Sequence, residues 1–203
     1  MSDRSEILNA VKQHMIPATP LPAIPTFSPD TLGSSHEFGE MLKIMGGIWD
    51  TTFIHTQPDD AALTRYITEL FAADASVCSA VAGITGNREI TINTVPSSLK
   101  DIDVAIVRGR FGVAETGSVF LSEEELCVNS LGYLAQHLVV LLDIATIVPD
   151  LHVAYRNRAF FDAKYAVLVT GPSATADIEG VLIFGAQGVR SLRVIALGHD
   201  AIA

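Results

Sequence analysis

Residues 103–117 read DVAIVRGRFGVAETG, a short β-branched apolar run that breaks into a polar loop punctuated by Gly109, Gly112 and Gly117. Asp103–Val107 is too short for a helix that pays its nucleation cost, and its composition fits a strand covered on both faces. The same pairing recurs downstream, where YAVLVT at 165–170 runs into GPSATAD at 171–177. Working outward, Trp49–Thr56, Ser76–Val81, Ser118–Leu121, His137–Leu142 and Leu192–Leu197 are further strand candidates. Helical spacing or end signals mark His36–Met45, Pro58–Ala73, Pro149–Asp162 and Thr175–Phe184. Helix alternating with short apolar strand predicts an α/β fold: a mostly parallel sheet with helices on both faces.

Two regions divide the chain. Residues 1–35 form an amino-terminal helix and a proline-rich arm, and residues 36–203 form a single α/β domain. Ile7, Leu8, Val11 and Met15 fall on one helical face, and Pro17, Pro20, Pro22, Pro25 and Pro29 then exclude helix or central strand. Such an arm either wraps its own domain or is exchanged with a second copy in a homodimer. Prolines constrain its reach but not its destination.

Composition narrows the function classes. A net charge of −10 without a Lys/Arg cluster excludes nucleic acid as the expected partner. The longest apolar run, Leu138–Leu142, ends at Asp143 and cannot span a bilayer, and the mixed charges of the first fifteen residues do not make a secretory leader. A cytoplasmic location is therefore expected. Cys78 and Cys127 form no CxxC pair and supply too few thiolates for an iron–sulfur cluster, so no cofactor is expected on this chain. The six histidines lack metal-ligand spacing, and the serines lack a GxSxG elbow.

Ligands of open α/β sheets bind beyond the carboxyl ends of the strands, where both polar loops are expected. In the first, Gly112 and Gly117 would let a ligand approach bare amides, while Glu115, Thr116 and Ser118 offer a carboxylate and hydroxyls. In the second, Gly171, Pro172, Ser173 and Thr175 precede an expected helix whose amino-terminal amides would receive an anion; Asp177 and Glu179 follow. Each loop also has a local explanation, and for the second a helix cap accounts for every residue without a ligand. Glu115 suits a turn that caps its own amides, and Ser173 or Thr175 suits an N-cap with Asp177 or Glu179 completing a capping box. If the loops converge, Glu115 and Asp177 become candidates for proton transfer, and His137 could enter the crevice from one end.

GRFGVAETGSVFL at 109–121 and VTGPSATADIEGVLIFGAQG at 169–188 resemble the two signature segments of the lactate-utilisation (LUD) domain family, above all its subunit-C type, with His137 and Ile147–Leu151 between them in the same order. The resemblance implies a fold similar to that of ribose-phosphate isomerase, glucosamine-phosphate deaminase and coenzyme A transferases. It also implies an accessory or substrate-binding role in bacterial oxidation of L-lactate to pyruvate. The partners would be iron–sulfur and cysteine-rich subunits, and the ligand a small carboxylate. Its motifs fall on Glu115, Thr116, Gly117, Gly171, Pro172, Ser173, Thr175, Asp177 and Glu179. An alternative is a coenzyme A transferase-like enzyme with Glu115 as nucleophile, and a third is a non-catalytic scaffold. The chain departs from the family where Ala135 and Gln136 replace prolines, Ala174 a basic residue and Gln187 a histidine.

Overall fold

The structure, a computed structural model, describes residues 3–16, 19–23, 33–177 and 179–198. Pro17, Pro25, Pro29 and His199 lie outside the described residues. The chain begins with α1 (Asp3–Gln13), α2 (Ser35–Ile44), β1 (Ile48–Phe53) and α3 (Asp60–Glu69), then β2 (Val77–Ser79), β3 (Val104–Arg108), β4 (Phe111–Val113) and β5 (Ser118–Ser122). After α4 (Glu123–Leu126), α5 (Leu131–Leu134) and β6 (His137–Asp143) come α6 (Leu151–Arg156), α7 (Ala159–Asp162) and β7 (Ala166–Val169). The hairpin strands β8 (Ala174–Thr175) and β9 (Ile183–Phe184) and the last strand β10 (Ser191–Leu197) complete the order.

Five strands form a parallel sheet in the order β1-β10-β6-β3-β2. The period-two alternation of strand side chains divides the core into two layers. Leu138, Val140, Leu142, Ala105, Val107, Leu192 and Val194 face one side, under Phe38 and Leu42 of α2, Leu126 of α4 and Leu131 of α5. Val139, Leu141, Val104, Ile106, Ile195 and Leu197 face the other, under Leu63 and Ile67 of α3. The predicted α/β fold with helices on both faces is what forms.

Two strands expected in the main sheet lie elsewhere. β5 pairs antiparallel with β4 and β7 in a second, three-stranded sheet. One face of it sends Val119 and Leu121 into the shared core, and the other packs Phe111, Val113 and Phe120 against Ala154 and Phe160 of α6 and α7. A fully apolar strand such as SVFLS is buried on both faces in either arrangement, so its composition does not report its direction.

The helix expected over Thr175–Phe184 does not form. Instead β8 and β9 pair as an antiparallel hairpin, Ala174 with Phe184 and Thr175 with Ile183. Glu179 and Gly180 both adopt positive φ, 57° and 70°, and two consecutive left-handed residues cannot continue a right-handed helix. The helix expected over Pro149–Asp162 is divided in two at Asn157, whose side chain accepts the Ala159 amide.

Candidate functional site at the carboxyl edge of the parallel sheet

β3 and β6 are adjacent, and each ends an apolar run on one charged residue, Arg108 and Asp143. Register pairs Arg108 with Leu141, so both charges emerge at the carboxyl edge of the sheet, where parallel α/β sheets bind ligands. A cavity of about 560 Å³ opens there, walled by Ala80–Ala82 after β2, by Arg108–Arg110 after β3, and by Asp143 and Thr146 after β6. Arg108 and Asp143 also wall a neighbouring recess of about 180 Å³, completed by Gln57, Pro58 and Asp60 at the start of α3 and by Leu197 at the end of β10. The carboxyl ends of β3, β6 and β10 thus share one crevice with two lobes.

The two arginines are in different states. Arg110 donates through Nε to Glu125 Oε1 at 2.7 Å and through Nη2 to Glu124 and Glu125, with its guanidinium 5.9 Å from the Phe120 ring. Glu125 in turn closes a capping box on α4, accepting the Ser122 amide at 2.8 Å and the buried Ser122 hydroxyl at 2.7 Å. Glu123 accepts the amides of Lys164 and Tyr165, which hold its carboxyl below the usual range. The Glu123–Glu125 run therefore ties α4 to β7 and neutralises Arg110. Arg108 is exposed and has no side-chain partner among the described residues, which leaves its five donors directed to solvent in the crevice. Asp143 accepts the Ala145 amide through Oδ1 at 2.9 Å, which sets the turn that carries Thr146.

The residues expected to form the site are distributed differently. Thr116 Oγ1 lies 2.7 Å from Ser118 Oγ, which bonds Thr170 Oγ1, so a row of hydroxyls does join the two polar loops. They meet against the carboxyl-terminal half of α2. A Cβ on Gly117 would lie 2.4 Å from the Leu42 nitrogen, and one on Gly171 would lie 2.2 Å from the Met45 oxygen. The space before Gly112 is filled by Phe38, Leu142 and Ile147, so this glycine serves packing. Ser173 donates its amide to Val189 O and accepts from Gly185, while Pro172 lies beside Gly46. Because the expected helix is a hairpin, Ser173 and Thr175 face no helix amino terminus, and neither Asp177 nor Glu179 completes a capping box. Asp177 instead accepts from Thr175 Oγ1 at 2.9 Å, and Glu179 sits exposed at the turn.

Glu115 is also engaged. It is exposed and accepts the Leu151 amide at 3.0 Å at the start of α6, while its own amide donates to Pro149 O. One oxygen of its carboxylate, Oε2, is thus held at the start of α6. Neither Glu115 nor Asp177 lines the crevice lobes. His137 opens β6 and lies at the amino edge, about 20 Å from Asp143 at ~3.3 Å per residue, so it does not reach the crevice. There it bonds Ser191 Oγ at 2.8 Å and packs on Phe71; burial and Arg190 push its pKa down against the pull of Asp103. Among the described residues no group of three or more His, Cys, Asp or Glu gathers as metal donors, and Cys78 and Cys127 are free thiols. No helix among them is long and apolar enough to cross a membrane.

Sequence reasoning placed Arg108 inside the first loop and Asp143 at the end of an apolar run without joining them. The available signal was shared: a single charge terminating a buried parallel strand, as in VAIVR and LVVLLD.

Comparison with known proteins agrees with this architecture. An uncharacterised protein of Neisseria meningitidis serogroup B is 27% identical over 106 residues, a match covering 51% of this chain and 46% of that protein; the chain spans about half the length of that relative. The crystal structure of a DUF162-family protein from Deinococcus radiodurans has the same fold, with a TM-score of 0.60 at 16% identity over 80% of this chain and 95% of that one. The LUD domain matches residues 89–197, just over half of the chain and including β3 to β10, and the chain belongs to the LUD-domain family, which is associated in general with lactate utilisation.

Proposed function

We propose that this protein is an accessory, substrate-binding subunit of the subunit-C type in the oxidation of L-lactate to pyruvate, and that it holds the small 2-hydroxy acid in the carboxyl-edge crevice. The observation that carries this reading is the unpaired Arg108 guanidinium at a wall common to both lobes. A guanidinium receives a carboxylate through two parallel N–H donors. Asp143 on the adjacent strand supplies an acceptor for the hydroxyl of the same ligand. Electron transfer then belongs to iron–sulfur and cysteine-rich partner subunits.

A net charge of −10 gives a free anion no long-range attraction, so affinity rests on short contacts and falls in the millimolar range, roughly 4 kcal/mol. Deletion of the chain in its host is expected to abolish growth on L-lactate while leaving growth on glucose intact. The wild-type chain restores growth and co-purifies with the iron–sulfur subunits, whereas an Arg108→Ala chain co-purifies but does not restore growth. A deletion strain that grows normally on L-lactate, with no such co-purification, removes this reading.

A further inference from the structure

Helix α1 is amphipathic, yet its apolar stripe packs on none of the described residues. Ile7, Leu8 and Val11 line one face at 48–64% exposure, Met15 just beyond the helix is exposed as well, and no residue of α1 is buried. A helix with one apolar stripe is ordinarily held by the surface that stripe covers. The body of the same chain has an uncovered apolar surface at the carboxyl end of α2. Ile44, Met45 and Ile48 are exposed there, as are Ile183 and Phe184 of the β8–β9 hairpin. These groups are contiguous, because a Cβ on Gly46 would lie 3.1 Å from the Phe184 ring and 3.6 Å from Pro172. β1, which starts at Ile48, is also an edge strand of the main sheet.

We propose that α1 of one copy docks on the Ile44–Met45–Phe184 surface of a second copy, and that the exchange is reciprocal. The arm leaves the body at Gly33, whose amide donates to Ile147 O at 2.7 Å. Residues 14–32 reach up to about 60 Å when extended, at roughly 3.3 Å per residue. That exceeds the diameter of about 40 Å expected for a domain of this length. The tether is thus long enough for α1 to lie on its own body, yet none of the described residues covers its stripe, and a second copy offers the same apolar patch. A two-fold exchange covers both stripes and both patches and leaves no open end on which further copies could add.

The test uses the full chain with two sets of variants, Leu8→Glu/Val11→Glu on the helix and Phe184→Glu on the body, each checked for an unchanged circular dichroism spectrum. These side chains are exposed, so folding is unaffected. Light scattering of the wild type is expected to give twice the 21.7 kDa of one chain, and each variant alone the mass of one chain. Mixing the two variants restores part of the dimer, since the helix of one remains able to occupy the intact surface of the other. A wild type that is monomeric, a dimer that survives either set of substitutions, or a mixture that stays wholly monomeric overturns the proposal.

Discussion

Replacing Gly117 by alanine is expected to lower the unfolding free energy by about 2–4 kcal/mol, from left-handed strain of ~1 kcal/mol and overpacking of ~1–3 kcal/mol. Gly117 has φ +65°, and a Cβ would lie 2.4 Å from the Leu42 nitrogen and 2.7 Å from its Cα. Those atoms belong to the backbone of α2, whose Phe38 and Leu42 are fully buried, so the neighbour cannot yield as a flexible side chain would. Gly180 is the control: it has a similar φ of +70° but nothing within 4 Å of its Cβ position. Gly180→Ala should therefore show the strain alone, about 1 kcal/mol. By thermal denaturation the two variants should differ by roughly 2–12 °C for a chain of this size. Equal losses would mean that the packing of the first loop on α2 contributes nothing.

Asp50→Ala is expected to be comparably damaging. Asp50, 6% exposed, accepts from Thr52 N at 3.1 Å and from Thr52 Oγ1, Tyr66 OH and Arg193 Nη1 at 2.7 Å each. It joins the edge strand β1 to α3 and β10. Removing it leaves the partly buried Arg193 guanidinium without this acceptor and the Tyr66 phenol with Thr52 Oγ1 as its remaining partner, at a cost of about 3–5 kcal/mol. Burial alone would push the Asp50 carboxyl up, but the hydrogen bonds from Tyr66 and Thr52 and that from Arg193 outweigh it and hold it below its ordinary value. A carboxyl depressed in the folded state contributes stability that is complete above the unfolded value, near 3.9, and disappears as pH falls through the folded value. Melting curves of the wild type between about pH 5 and 2 should therefore steepen in their loss of stability relative to Asp50→Asn, which starts lower and loses less. Parallel pH profiles would show that Asp50 is not the group responsible.

The main sheet was legible because its strands are short apolar runs separated by turn signals, and burial on both faces leaves that mark in composition. What composition does not carry is strand direction. SVFL and AVLV read like members of the parallel sheet, yet they pair antiparallel in the second one. The second loop misled for a different reason. Ser173, Thr175, Asp177 and Glu179 have the chemistry of a helix start, but backbone conformation at Glu179 and Gly180 decides the matter, and glutamate at positive φ has no sequence signature. The polar loops do meet, through the hydroxyls of Thr116, Ser118 and Thr170, but Gly117 and Gly171 bring them against α2 and these residues do not line the crevice. The crevice itself depends on which strands are neighbours. Arg108 and Asp143 are 35 residues apart, and only the adjacency of β3 and β6 brings them to one wall.

Titration calorimetry of the purified chain with L-lactate tests directly the proposal that Arg108 holds the carboxylate of a small 2-hydroxy acid. A millimolar Kd is expected for the wild type and a loss of about 10- to 100-fold for Arg108→Ala, from a charge-assisted hydrogen-bond pair of roughly 1.5–3 kcal/mol. Glu115→Ala and Asp177→Ala should bind as the wild type does. Wild-type affinity in Arg108→Ala, or loss of binding confined to the Glu115 and Asp177 variants, would contradict it and return the site to the two polar loops.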